Sequence, residues 1–326
     1  MNLLRTFLSR LTIRRHAPRF SSVHPNRKAL SLELLERRDL LSINWTNQAT
    51  NNFEAIYGAE GAIVAEQLVL RAIKDWNSVI LDQDFDNDSN PLTNNFQLTV
   101  DAAVLSNPLT RGETSVTVTN GGSGQVGWTA GIPMSSIITM DDNGAGSGWF
   151  LDSTPLDDLE FTGIASPFQA TFIDATSTGQ THQSDFYRTI VHEIGHAMGI
   201  FTGLGVINQF QTFLGSFPSG EALYSFHNPN GQFGVTATFT SIGGGHLYEG
   251  PAPSSIPNLP VHPNDLMNPG RTVPAGSTPP IETTRQFISN LNVQILADAY
   301  GYTVALSSTI NNAHVSFDIY TGTLLV

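Results

Sequence analysis

The sequence predicts an α+β fold, built as one large domain or as two lobes about a cleft. Two stretches far apart in the chain, 60–80 and about 285–300, repeat apolar residues at helical spacing. Between them, several short runs alternate apolar and polar residues as strands do. Hydrophobic residues make up 40% of the 326, which is enough for a core of that size and argues against general disorder.

Residues 60–80 (EGAIVAEQLVLRAIKDWNSVI) bring Ile63, Val64, Leu68, Ala72, Ile73, Trp76 and Ile80 into register at helical spacing. Residues 82–95 form a polar loop. Residues 96–105 (FQLTVDAAVL) and 115–119 (SVTVT) alternate as strands, separated from the next by a glycine-rich turn at 121–124. Residues 136–140 (SIITM) give another strand, ended by Asp141-Asp142-Asn143-Gly144. Residues 142–184 are loop-rich, with one strand candidate at 169–173 (QATFI). A second helix runs from about 185 to 198, where Ser184 or Asp185 can cap the start and Gly199 can end it. Residues 202–285 are rich in Gly, Pro, Ser and Asn and read as largely irregular. The third helix, near 285–300, carries Phe287, Ile288, Leu291, Val293, Ile295 and Leu296. The tail from 303 to 326 reads as two or three strands, and no internal repeat is evident.

Charge divides the chain into two regions. Of 15 Lys and Arg, nine fall in the first 38 residues, offset there only by Glu33 and Glu36. The following 288 residues carry 6 basic and 26 acidic side chains, a formal net charge of −20. So acidic a body repels phosphate backbones, and a nucleic-acid partner is not expected. No run approaches eighteen apolar residues, so no transmembrane segment is expected either. With Cys 0, a disulfide scaffold, a thiolate metal site, a Cys nucleophile and a thiolate latency switch are all excluded. The basic head lacks the continuous apolar stretch of an ordinary secretory signal, and an amphipathic transit peptide or a nucleic-acid arm would share its composition. Its last residues, Leu35-Glu36-Arg37-Arg38-Asp39-Leu40-Leu41-Ser42, resemble the Leu-Glu-Pro-Arg-x-Leu-Leu segment near the N-terminus of many large bacterial surface and secreted proteins, with Arg37 where those have Pro. That resemblance implies that 1–42 is a disordered basic export or sorting leader. The folded body would then start near Ile43 and end up extracellular or on the cell surface.

The chemistry lies in the second helix. Residues 191–200 read Val-His-Glu-Ile-Gly-His-Ala-Met-Gly-Ile. His192 and His196, four residues apart, leave one helix face, a spacing at which two neutral imidazoles can hold one Zn²⁺. Glu193 follows the first His and is placed to take a proton from water beside the metal. This is the His-Glu-x-x-His logic of zinc metalloproteases.

His192, Glu193, His196 and Gly199 resemble the start of the longer metzincin motif, and Asp265-Leu266-Met267-Asn268-Pro269 looks like its Met-turn, with Met267 as the methionine. Where metzincins have a third His, this chain has Thr202. A short motif, a long insertion, a distant His and then a Met-turn are together similar to leishmanolysins, and the start of the motif is shared with matrixins. The resemblance spans about 55–305 and is specific at 189–200 and 265–269. It implies a zincin fold whose upper lobe holds a twisted mixed sheet and helices, above an irregular lower lobe with the Met-turn and a C-terminal helix. It also implies a third zinc ligand from beyond the insertion: His246 by choice, with His262 as the alternative. For His227 and His262 the simpler reading is a solvated loop histidine. Glu249 stays open as ligand or outer partner. An edge strand beside the active-site helix would pair with extended substrate, and 136–140 is read either as that strand or as an ordinary member of the sheet. On this reading 43–305 is a metallopeptidase domain and 306–326 a short β-rich tail.

Other signals are weaker. Asp82, Asp84, Asp86 and Asp88 alternate in a way that could wrap Ca²⁺, but Ser89 and Asn95 stand where an EF-hand has Gly and Glu, and a solvated acidic loop is the simpler reading. Asp141-Asp142 and Asp157-Asp158 read as turn residues. The glycine-rich runs lack a following Lys-Ser/Thr, and no Gly-x-Ser-x-Gly elbow is present. The expected function is therefore a secreted or cell-surface zinc endopeptidase acting on protein or peptide. The alternative is a non-catalytic surface or matrix binding protein on a degenerate metzincin fold. Hydrolysis of something other than a peptide stays open, as does the oligomeric state.

Overall fold

Helical spacing and strand alternation both appear in the computed structural model of the chain. It describes residues 43–83, 95–118, 132–156, 158, 161–166, 169–174, 183–200, 211–216, 221–227, 233–240, 245–247, 265–268, 284–304, 316–318 and 323–325. The chain divides into units 1–38 and 39–326, and every described residue belongs to the second. The architecture is mixed α+β, with several small sheets and three helices among the described residues.

In chain order, β1 (Ile43–Trp45) leads into α1 (Phe53–Val79) and β2 (Ile80–Asp82). β3 (Phe96–Ala103), β4 (Gly112–Val118), β5 (Pro133–Asp141) and β6 (Trp149–Phe150) follow. Next come β7 (Phe161–Ser166), β8 (Gln169–Asp174), β9 (Ser184–Asp185) and α2 (Phe186–Ala197). The remainder holds β10 (Gln211–Ser216), β11 (Glu221–His227), β12 (Phe233–Thr240) and β13 (Thr284–Gln286). The last elements are α3 (Asn290–Tyr300), β14 (Thr303–Val304), β15 (Ser316–Asp318) and β16 (Thr323–Leu325).

α1 starts seven residues before the apolar repeat predicts. Gly58 sits at φ 73 and kinks it, so Phe53 and the residues beyond the kink do not share one helical repeat. Past the kink, Ala65, Leu68, Val69, Ala72 and Trp76 form the buried stripe. That stripe packs on α2 and on β3 of a four-stranded sheet of order β1-β3-β5-β4. β3 alternates fully, with Phe96, Leu98, Val100 and Ala102 buried on one face.

One open reading is decided here and one expectation changes. Residues 136–140 do not form an edge. They lie inside β5, hydrogen-bonded to parallel β3 on one side and antiparallel β4 on the other. Beyond β5 the sheet ends, among the described residues, at β4, whose Glu113, Ser115 and Thr117 point to solvent, as suits an edge. Nor is 202–285 wholly irregular: β10, β11 and β12 form an antiparallel sheet with bulges at Phe213/Gly215 and Ser225/His227. The bulges and glycines break the alternation that would have announced these strands. β7 and β8 pair with β13 added alongside, and 142–184 holds β6, β7 and the start of β9 besides the one strand expected. The tail strands β15 and β16 pair antiparallel, and β14 returns to β2.

Candidate metal centre

α2 carries the first two histidines, and the protein fixes both of its ends. Phe186, Tyr187, Ile190, Val191, Ile194 and Ala197 are buried. At its start, Phe186 meets Phe53, Tyr57 and Trp149 edge-on, with ring centroids 5.2–6.1 Å apart. Asp185 stands at the N-cap position but makes no side-chain cap bond, contrary to the sequence reading, and the hydroxyl of Ser184 is engaged with Arg111 instead. The Asp185 carboxylate is gripped by Arg285, with Nε donating at 2.8 Å and Nη2 at 3.0 Å. Arg285 Nη1 also donates to Asp152 and Asp158, both at 2.7 Å, and Asp158 receives Arg71 Nη2 at 2.8 Å. Asp158 is thus a buried ion-pair residue, not the turn residue expected. Carboxylates at a helix N-terminus still favour the dipole, even when they do not cap it.

At the other end, Gly199 adopts φ +118, and a Cβ there would lie 2.5 Å from the Tyr300 ring. That turn swings the Ile200 carbonyl back to His196, where it accepts from Nδ1 at 2.6 Å. Midway, Trp76 Nε1 of α1 donates to the Val191 carbonyl at 2.9 Å. His192 and His196 therefore project from a helix held at its start, middle and end.

The turn at 265–268 meets them. Met267 is buried, and a Cβ on Gly195 would lie 2.6 Å from its sulfur, so only glycine between the two histidines lets Met267 sit against the helix. The Leu266 carbonyl accepts from His192 Nδ1 at 2.6 Å. Asp265 holds the turn, accepting from Met267 N at 2.8 Å, Asn292 Nδ2 at 2.7 Å and Ser289 Oγ at 2.5 Å. The last two residues also form the capping box of α3. Leu247 N–H donates to the Met267 carbonyl at 3.0 Å, pinning the chain beside His246 to the same turn.

His246 Nε2 lies 3.2 Å from His192 Nε2 and 3.3 Å from His196 Nε2. The three histidines form one cluster that can hold a metal ion, their ligand atoms all within 4.8 Å of one another. A carbonyl only accepts, so His192 and His196 each keep their proton on Nδ1 and turn the Nε2 lone pair inward. A single proton on His246 Nε2 would serve only one of those lone pairs well. Three imidazoles around one ion at about 2.0–2.1 Å require nitrogens about 3.3 Å apart in tetrahedral geometry, and the donor set fits. The packed surroundings, and then the neighbouring imidazoles, push His192 well below its ordinary range and keep it in the neutral, ligating form.

Glu193 is buried beside this cluster. Thr114 Oγ1, on β4, donates to its Oε2 at 2.5 Å. Burial raises the carboxyl above its ordinary value, opposed by His196 and by the Thr114 hydrogen bond.

The structure thus brings His192, Glu193, His196, His246 and Met267 together. His262, Glu249, Thr202 and Asp84, Asp86 and Asp88 lie outside the described residues, as do 1–42 and the 121–124 glycines. Asp141 serves its turn as expected, accepting from the N–H groups of Asn143 and Ala145. Thr114, Asp265, Trp76 and Arg285 were missed. A long-range partner leaves no periodic trace, though the Ser289–Asn292 spacing ahead of an apolar run was a readable cap. Comparison of the chain with family models, curated proteins and solved structures finds no match. Among the described residues no helix is long and apolar enough to cross a membrane.

Proposed function

We propose that the chain is a zinc-dependent endopeptidase of metzincin type, secreted or displayed at a bacterial cell surface. One observation carries the reading: three imidazole nitrogens converge from two distant segments, beside a buried glutamate that adjoins the first of them. All-nitrogen donation by neutral imidazoles suits zinc, and His192, His196 and His246 would hold it. When bound, zinc would supply Lewis-acid polarisation of a peptide carbonyl and make nearby water acidic. Glu193 takes the proton of the attacking water and passes it to the departing amine. A raised carboxyl affinity for protons suits both halves of that transfer. β4, paired only with β5 among the described residues, offers an outer edge on which an extended peptide can lie. Met267 against Gly195 supports the Met-turn likeness, and the 35–42 segment supports export. A purely structural metal site would have no use for the hydrogen-bonded carboxylate of Glu193, which weighs against a binding role alone.

Glu193→Ala is expected to keep stoichiometric zinc while casein cleavage falls by about 10²–10⁴-fold. Zinc content by atomic absorption, measured beside the cleavage rate, tests this. Zinc lost together with activity would contradict the role given to Glu193.

A further inference from the structure

The outer strand holds the glutamate as well as offering an edge. Gly112 and Thr114 stand two apart on β4 and so face the same way. A Cβ on Gly112 would lie 2.8 Å from Glu193 Cγ and 3.0 Å from both Cδ and Oε1, so the missing side chain is what admits the carboxyl group. Thr114 Oγ1 then donates to Oε2 at 2.5 Å, with a longer 3.2 Å approach to the Glu193 main-chain carbonyl. Oε1 accepts no hydrogen bond from the described residues.

We propose that Thr114 is a positioning residue for Glu193: its hydroxyl occupies Oε2, fixes the carboxylate plane against β4, and leaves Oε1 as the oxygen that exchanges protons. The inference rests on the peptidase reading for its kinetic consequence but not for its geometry. Thr114 has one hydroxyl proton, and at 2.5 Å it is committed to Oε2, so that oxygen's capacity to take a further proton is reduced. A glutamate free to rotate would present either oxygen, and a misplacement of about 1 Å can cost about 100-fold in rate.

The test uses the full-length, metal-loaded chain with Thr114→Val, which keeps the shape and removes the hydroxyl, and Thr114→Ser, which restores it. For peptide cleavage, Thr114→Val is expected to lower kcat by about 10–100-fold at nearly unchanged KM and zinc content, and Thr114→Ser to regain most of it. A second readout needs no turnover. In the cobalt(II)-substituted protein, the visible bands of Thr114→Val should move toward those of Glu193→Gln, whereas Thr114→Ser should match the wild type. Thr114→Val with wild-type kcat and bands would overturn the proposal. So would equal losses in the Val and Ser variants, which would mark a merely structural site. Wild-type protein that cleaves nothing, yet shows the expected band shifts, would sink the peptidase reading and leave the positioning role standing.

Discussion

Two glycines, Gly195 within α2 and Gly199 just past its end, show how little freedom single residues have around the three histidines. Gly195 lets the Met267 sulfur and Trp76 close on the helix between His192 and His196. Gly199 combines φ +118 with a Tyr300 ring where a side chain would go, and the Tyr300 hydroxyl donates to its carbonyl at 2.7 Å. Gly195→Ala meets the flexible end of a methionine and is expected to cost about 1–3 kcal/mol by overpacking. Gly199→Ala meets a ring and an unfavourable backbone angle together, so about 1–3 kcal/mol of strain adds to the overpacking. Urea unfolding of the chelator-treated protein checks the order, and a Gly199→Ala variant no less stable than Gly195→Ala would contradict it.

At the scale of elements, the turn at 265–268 couples the histidines to α3 through one buried carboxylate. Burial raises Asp265 to about 6 against an ordinary 3.8, even though three donors favour its charged form. A carboxyl whose pKa is raised on folding binds its proton more tightly in the native state. Its contribution is therefore complete below about pH 4 and is lost as pH rises through 6. Asp265→Asn, neutral throughout, is expected to gain on the wild type by up to about 3 kcal/mol between pH 4 and 7. Urea unfolding of both chelator-treated proteins across that range is the check, and a constant difference would contradict it. Little of this coupling was legible in the sequence. The Asp-Leu-Met-Asn turn could be recognised, but that Asp265 would reach Ser289 and Asn292 depends on a contact 24 to 27 residues away. Helix α2 was legible because its apolar face and its two histidines obey one period. Strands β10–β12 were not, because bulges and glycines interrupt theirs.

Across the whole molecule, local pattern specified helices, strands of the main sheet and the histidine face of α2, while assembly depended on long-range pairs. The order β1-β3-β5-β4 puts β4 at the edge beyond the more apolar β5, so of the two readings open for 136–140 the ordinary sheet strand holds. Arg285 joins Asp152, Asp158 and Asp185 across 100 to 133 residues, and no spacing in the sequence announces that network. His246, by contrast, was reachable through the resemblance, which put it ahead of His262 as the distant histidine, and the fold brings its Nε2 to within 3.3 Å of the other two. The acidic body, carrying −20 over its 288 residues, also suits retention of a divalent cation.

The measurement that bears most directly on the central claim is casein and peptide cleavage by the full-length chain, before chelation, after it, and after zinc is returned, with bound zinc quantified at each stage. Cleavage is expected to disappear with the zinc and to return with it. A folded, zinc-loaded protein that cleaves no substrate, or cleavage indifferent to chelation, would contradict it.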